Sequence, residues 1–228
     1  MKHFLTLAAT IILSATAWAQ KDLPQFGKID KADLEKKNCD YDKDAEAEML
    51  YNMYDFLMDV NFNGLTVDIR RHVRIKILNE KGLDRANIKI PYERAHGEEL
   101  ISKLEAQTYN LDASGNIVVT KVDKKSIYDK KRNSLVWDQI FTFADVKPGS
   151  IIEYKYTLTR QSPTLDDWYF QRSLPVRLSL CRFAYPNWFH FSHMAYTTMP
   201  YDSKESPDGG RIVKTFTMKD IPALRDEP

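Results

Sequence analysis

Strict alternation of apolar and polar residues between Leu65 and Ile77 is the feature that most constrains how this 228-residue chain can fold. Successive side chains of a β-strand point to opposite faces, so a period of two predicts a strand with one buried and one polar face. Only Arg71 interrupts the apolar side. The apolar face holds Val67, Ile69, Val73, Ile75 and Ile77, and the polar face holds Asp68, Arg70, His72, Arg74 and Lys76.

Similar alternation recurs along the chain and predicts three hairpins and several further strands. In the first hairpin the turn lies at Asn79–Gly82, and Gly82 is expected to adopt a positive φ. A turn-rich segment, 202–210, is expected to separate two of the later strands. The hairpins are 65–77 with 86–91, 106–111 with 117–122, and 135–143 with 152–158, and the further strands are 176–183, 188–196 and 212–217.

These strands predict an all-β fold, an antiparallel β-sandwich of about eight to eleven strands with short N-terminal helical segments. The sandwich domain is expected to span residues 45–217, although residues 45–50 favour helix and 50–60 could be strand. Residues 20–44 are polar and predict a surface lead-in with a short helix capped by Asp30. Residues 218–228 predict a linker toward a further domain.

The first 19 residues predict a secretory signal peptide cleaved after Ala19, and hence export to the periplasm or the extracellular space. The apolar run from Phe4 to Ala17 is about 14 residues long, short of the roughly 20 that span a bilayer, so the protein is not expected to span a membrane. In an oxidising compartment Cys39 and Cys181 could form a disulfide, although two buried thiols are the commoner arrangement for such a pair.

Charge argues against a nucleic-acid partner. The chain has 33 basic and 32 acidic side chains, so it carries no excess of positive charge to neutralise phosphates. No glycine-rich nucleotide loop or Gly-x-Ser-x-Gly elbow occurs in the sequence. Composition and motifs together therefore name no cofactor.

The candidate catalytic groups are weak. His190 and His193 lie on opposite faces of a predicted strand, and no third metal ligand has suitable spacing, so no metal is expected. Cys181 lies in an alternating strand and not at a helix N-terminus, where its pKa would be lowered. Glu153 with Asp166 or Asp167 could form a general acid–base pair, but nearby carboxylates are common in a chain so rich in them.

Aromatic residues offer a second kind of site. The chain has 12 Tyr, 11 Phe and 4 Trp, with clusters at Trp168-Tyr169-Phe170 and Trp188-Phe189. Exposed aromatic faces in an exported β-sandwich can stack on sugars, which suggests carbohydrate binding. The alternative is that a large sandwich core buries most of them.

Four sequence runs resemble a known family, the domain of unknown function 3857. They match it in order from about residue 45 to residue 221. They are Asn79-Glu80-Lys81-Gly82, Ile90-Pro91-Tyr92, Gly149-Ser150-Ile151-Ile152-Glu153-Tyr154-Lys155-Tyr156 and Trp168-Tyr169-Phe170-Gln171-Arg172-Ser173-Leu174-Pro175-Val176.

The resemblance implies a β-rich, exported domain, found especially in Bacteroidetes, that precedes a transglutaminase-like (papain-type) domain. The catalytic residues of that downstream domain match no position here, so no catalytic residue is expected in this chain. The leading hypothesis is a non-catalytic module that positions or recognises substrate for the transglutaminase-like domain. The alternatives are a periplasmic carbohydrate-binding module and a stand-alone envelope interaction protein. The binding candidates, for a peptide or a glycan, are Glu153, Trp168, Gln171 and Trp188.

Overall fold

The computed structural model describes residues 23–94 and 99–225, and the predicted signal peptide lies outside them. One short helix, α1 (Lys31–Glu35), precedes the strands, and Asp30 caps it as predicted by accepting a hydrogen bond from the amide of Ala32. The strands are β1 (Ala47–Asn61), β2 (Gly64–Ile77), β3 (Asn87–Glu93), β4 (Glu99–Leu111), β5 (Ile117–Lys121), β6 (Tyr128–Lys131), β7 (Val136–Thr142), β8 (Ile151–Arg160), β9 (Val176–Pro186), β10 (Asp202–Asp208) and β11 (Arg211–Ile221). Two 3₁₀ turns, Glu80–Ala86 and Lys124–Ser126, complete the elements.

The strands form two layers, which confirms the all-β prediction. The large sheet has eight strands in the order β10-β11-β9-β1-β2-β8-β4-β5, and the small sheet has three in the order β3-β7-β6. The sandwich is not purely antiparallel, because β1 and β9 run parallel from Met49 opposite Val176 onward. The long central strand β1 resolves the open boundary in favour of strand from Ala47.

Two of the three predicted hairpins are wrong. Strand β2 ends at Ile77 in the large sheet, whereas β3 pairs with β7 in the small one. Strand β8 likewise pairs with β2 and β4 and not with β7. Phe141 of β7 and Ile152 of β8 nevertheless belong to the same hydrophobic core, because both face the space between the layers. Alternation records which face is buried, and it does not record the neighbouring strand.

The hairpin of β4 and β5 is confirmed, with Asp112 accepting backbone hydrogen bonds across the turn. Residues 188–196 form no strand, although Phe189 and Phe191 still pack inward beside Tyr185. The segment expected to be turn-rich instead contains β10, an exposed edge strand on β11. An edge strand with both faces in water needs no alternation, so this pattern could not reveal it.

Gly82 does not have the predicted positive φ, because it lies inside the 3₁₀ turn that Asn79 caps. Its role is close approach. A Cβ at this position would lie 2.4 Å from the carbonyl oxygen of Glu46, so only glycine lets the 3₁₀ turn pack against the start of β1.

Most described residues of the lead-in are exposed, and its inner side packs on part of the second face of the large sheet. Leu34 of α1 is buried with Leu50, Tyr109 and Ile151. The polar side chains of His72, Arg74 and Lys76 are buried beneath it. Strand β2 is therefore buried on both faces near its end. On its second face, Arg74 and Lys76 donate hydrogen bonds to backbone carbonyls of the lead-in.

The predicted tail also differs, because β11 continues to Ile221, four residues beyond the expected end of the domain at 217. Ile221 is fully buried with Val176 and Met218. The first residues of this segment therefore belong to the large sheet.

Candidate functional site: a groove between the two sheets

The groove lies over the apolar face of β2 and β8, where the small sheet does not cover it. Alternation places Ile69, Arg71 and Ile75 of β2 on this face, beside Tyr154 and Tyr156 of β8. The two tyrosine rings lie parallel, with their centroids 6.4 Å apart. Burial raises the pKa of Tyr154 to about 12 and also raises the pKa of Tyr156, so both are neutral phenols.

Two walls enclose this floor. One is β3, which contributes Lys89 and Pro91, and the other is the connection between β8 and β9, which contributes Trp168 and Arg172. The groove has two compartments, one of about 570 Å³ and one of about 390 Å³, and Arg172 lines both. This space is large enough for several residues of an extended peptide or for a small organic ligand.

The wall formed by β3 is a sheet edge, because within residues 23–94 and 99–225 β3 pairs with β7 and with no other strand. The amide of Phe143 donates to the carbonyl of Ala86, and the amide of Arg94 donates to the carbonyl of Leu135. Since hydrogen-bonded pairs alternate along an antiparallel ladder, the even-numbered residues of β3 bond to β7 and the odd-numbered ones point their backbone groups away from it.

Most of the outward amides on this edge are already satisfied or absent. The amide of Asn87 donates to Asp84, that of Glu93 donates to the carboxylate of Glu99, and Pro91 has none. Within the described residues, the amide of Lys89 is left as an outward donor without a partner. The carbonyls of Asn87, Lys89 and Pro91 lie on the same outward edge.

A tryptophan in contact with two arginines lines the smaller compartment of the groove. The guanidinium carbon of Arg71 lies 4.6 Å from the ring centroid of Trp168, and that of Arg172 lies 5.1 Å from it. Burial, followed by the positive charge of Arg71, lowers the pKa of Arg172. Two like charges near each other in a partly buried place disfavour the charged form of Arg172 in this way.

A third arginine closes the smaller compartment. Arg160, at the end of β8, lies 3.3 Å from a carboxylate oxygen of Asp166 and 3.4 Å from one of Glu99. It also donates to the backbone carbonyl of Thr164. These contacts fix the start of the connection that carries Trp168 and Arg172, so Arg160 positions the wall of the groove.

The structure divides the predicted binding residues. Trp168 and Gln171 lie at the groove, and the side-chain amide of Gln171 donates to the carbonyl of Pro222 at 3.1 Å. Glu153 and Trp188 do not line it. Trp188 is 61% exposed and packs on Phe189, in the connection between β9 and β10.

Glu153 is completely buried on the opposite face of β8, under the lead-in. It accepts hydrogen bonds from Arg74 at 2.6 and 2.9 Å, from the amide of Gly27 at 3.0 Å and from Tyr109, and it lies 2.8 Å from His72. Burial alone would raise the pKa of Glu153, but the bond to His72 and the charge of Arg74 lower it below the ordinary value. Glu153 is therefore an ionised carboxylate whose hydrogen bonds connect the sheet to the lead-in.

The suggested acid–base pair does not form, because Asp166 lies at the groove and Glu153 on the other face of the sheet.

Both cysteines are free, buried thiols. Burial raises the pKa of Cys181 to about 12 and also raises that of Cys39. In residues 23–94 and 99–225, no three His, Cys, Asp or Glu side chains are grouped so as to hold a metal ion.

Sequence reasoning missed the arginines of the groove. Arg71 was visible in the sequence as the one charged residue on the apolar face of β2, and a charge on a buried face indicates a polar cavity beside it. Arg160 and Arg172 gave no such signal, because neither interrupts an alternating row of apolar residues in the sequence.

The comparisons with known proteins fit this architecture. Residues 65–225 match the family model described as a domain of unknown function with solved structure, DUF3857. The chain belongs to the DUF3857 family. The matched DUF3857 region contains most of the groove, including Arg71, Lys89, Trp168 and Arg172. No curated protein matches the chain.

A solved structure shares the DUF3857 fold of this chain. It is described as "a putative protease from Parabacteroides distasonis ATCC 8503", and it matches with a TM-score of 0.68 at 16% sequence identity. The match covers 80% of this chain and 37% of that one, so this chain spans well under half of the solved protein. No helix among the residues described here is long and apolar enough to cross a membrane.

Proposed function

We propose that this chain is an exported, non-catalytic module that recognises a peptide substrate and positions it for a transglutaminase-like domain in the same polypeptide. The observation that carries the proposal is the groove bordered by the edge of β3. An extended peptide can add to such an edge as a further strand, with main-chain hydrogen bonds for affinity and side-chain pockets for specificity.

The backbone of β3 suits this role. Lys89 offers an outward amide and carbonyl, and the aromatic floor of Tyr154 and Tyr156 lies alongside. Pro91 withholds a donor, which limits pairing to a short stretch around Lys89. A short recognition site of this kind holds a substrate without converting the whole edge into an aggregation surface.

Two observations support placing the chemistry outside this chain. Thiols whose pKa is raised by burial stay protonated at neutral pH, and a protonated thiol is a poor nucleophile. The similar solved protein, described as "a putative protease", is much longer than the part that this chain matches. The signal peptide predicted from residues 1–19, with cleavage expected after Ala19, is the basis for proposing export to the periplasm or beyond.

The test is peptide binding by a pair of variants that differ only in the backbone donor. Lys89→Pro removes the outward amide without touching the ladder to β7, whereas Lys89→Ala keeps the amide and removes the side chain. We expect Lys89→Pro to weaken binding of a library of extended peptides by about tenfold or more, the equivalent of one lost hydrogen bond, and Lys89→Ala to bind nearly as well as wild type.

Isothermal titration calorimetry measures the affinities, and thermal melting shows that both variants are folded. Equal affinity in the two variants would contradict strand addition at β3. Cleavage or cross-linking of the same peptides by the purified chain, with activity lost in Cys181→Ala, would contradict the non-catalytic assignment.

Carbohydrate binding is a second candidate, and the exposure of Trp188 favours it. The ring is 61% exposed, and Tyr196 in the same connection is 86% exposed. Stacking on a sugar face requires such accessible rings. A glycan array with wild type and Trp188→Ala tests the candidate, which predicts binding by the first and loss by the second.

A further inference from the structure

Among residues 23–94 and 99–225, three buried hydrogen-bond donors in the groove have no partner. They are Nη1 of Arg71, Nε of Arg160 and Nε1 of Trp168, and all three residues line the smaller compartment. Arg160 is only 8% exposed, so water does not reach it freely. Buried donors are almost always satisfied in folded proteins, and three such groups around one cavity indicate that an acceptor belongs there.

Three arginines and three carboxylates line the smaller compartment, but their charges are unevenly paired. Arg71 donates through Nη2 to the neutral side chain of Asn52 at 3.0 Å, and within the described residues neither Arg71 nor Arg172 forms an ion pair. The neighbouring acids are engaged elsewhere, since Glu99 and Asp166 both lie against Arg160. Asp167 is exposed and lies 3.5 Å from the hydroxyl of Tyr169.

Resting on the function proposed above, we propose that Arg71, Trp168 and Arg172 form a subsite for an acidic side chain of the bound peptide. A carboxylate accepts several hydrogen bonds at once and pairs with guanidinium groups in a bidentate manner. Its negative charge relieves the repulsion between the two arginines. Nε1 of Trp168 supplies a further, neutral donor.

The position of the subsite fits a peptide that pairs with β3. A peptide strand bonded to Lys89 passes Pro91 two residues further along, a distance of about 7 Å at the rise of a β-strand. Pro91, Arg71 and Trp168 line the same compartment. Opposite residues of neighbouring strands share a face, and Ile90 and Tyr92 face the large sheet, so the acidic residue is expected one or three positions from the residue that pairs with Lys89.

Two synthetic peptides test the assignment. They are Ac-Thr-Val-Glu-Val-Thr-amide and the same sequence with glutamine in place of glutamate, so that the side-chain carboxylate is the only charge. We expect wild type to bind the glutamate peptide about tenfold or more tightly, as measured by calorimetry in about 50 mM salt. The ratio of the two affinities, glutamate peptide over glutamine peptide, should fall to about one in Arg71→Gln and in Arg172→Gln.

Arg70→Gln is the matched control. Arg70 is next in the chain, lies on the other face of β2 and pairs with Asp55 at 3.6 Å, so its loss should leave the preference intact. Arg172→Lys keeps the charge but not the planar fork, and it should retain part of the preference. Thermal melting identifies any variant that is not folded. If either Arg71→Gln or Arg172→Gln is unfolded, the other variant tests the subsite.

A spectroscopic readout is independent of affinity. The indole N–H resonance of Trp168, assigned by its loss in Trp168→Phe, should shift with the glutamate peptide and much less with the glutamine peptide. Equal binding of both peptides, or a preference unchanged in both glutamine variants, would overturn the subsite and leave strand addition standing. Binding of neither peptide would overturn the proposed function as well. Binding of inorganic phosphate or oligogalacturonate without the glutamate peptide would overturn the assignment to a peptide.

Discussion

At the scale of single residues, buried charges on β2 and β8 connect the lead-in to the sheet. Glu153 neutralises Arg74 and accepts hydrogen bonds from both the sheet and Gly27. Lys76 donates to the carbonyls of Leu34 and Gly149, and burial, the larger cause, together with the charge of Lys37 lowers its pKa to about 8. These side chains act as structural ties, and their polarity is no evidence of solvent exposure.

Glu153→Gln is expected to destabilise the fold by about 3–5 kcal/mol at pH 7, because it leaves the charge of Arg74 buried without its counterion. The folded pKa of Glu153 lies below the ordinary value of 4.5, so its stabilising contribution is complete above pH 4.5 and is lost as pH falls through the folded value. Urea unfolding at neutral and acidic pH measures both effects. The variant should lose less stability on acidification than wild type, and an equal loss would contradict the assignment.

Gly82→Ala tests the close approach to β1. We expect a loss of about 1–3 kcal/mol, because the added Cβ overlaps the carbonyl oxygen of Glu46, a backbone atom that cannot rotate away. Lys81→Ala, at an exposed neighbouring position, is the control and should change the unfolding free energy little. A gain in stability in Gly82→Ala would show that the 3₁₀ turn can move aside.

At the scale of elements, α1 is too short to be stable alone and depends on the sheet beneath it. Leu34 supplies that contact by packing against Leu50, Tyr109 and Ile151. Leu34→Ala should therefore cost about 2–5 kcal/mol in a urea titration, the usual range for a buried leucine. Lys31→Ala removes only an exposed pair with Glu35 and should be nearly neutral. Similar effects of the two changes would mean that α1 is not part of the core.

At the scale of the whole molecule, the connection between β8 and β9 determines where a ligand can bind. It joins two strands of the large sheet that are separated by two others, β1 and β2, and it forms a wall of the groove. The small sheet provides the opposite wall. The site therefore exists only when both layers and this connection are in place.

The proposed arrangement with a downstream domain predicts the size of the natural protein. The intact mass of the protein exported by its own cells should be well above that of residues 20–228, because a transglutaminase-like domain is expected to follow. Mass spectrometry under reducing and non-reducing conditions measures this and also reports on the thiols. A mass equal to that of residues 20–228 would contradict the arrangement.

The sequence by itself determined the all-β class, the buried face of β2, the hairpin of β4 and β5 and the family, because periodicity and turn chemistry are local properties. It also marked Arg71 as a charge on an apolar face. Only the tertiary structure decided the sheet to which β3 and β7 belong, since a buried face does not specify a partner strand. It likewise decided that Glu153 is buried while Trp168 and Arg172 meet Arg71. Residues that are far apart in sequence come together through the packing of two layers, and local patterns do not encode that packing.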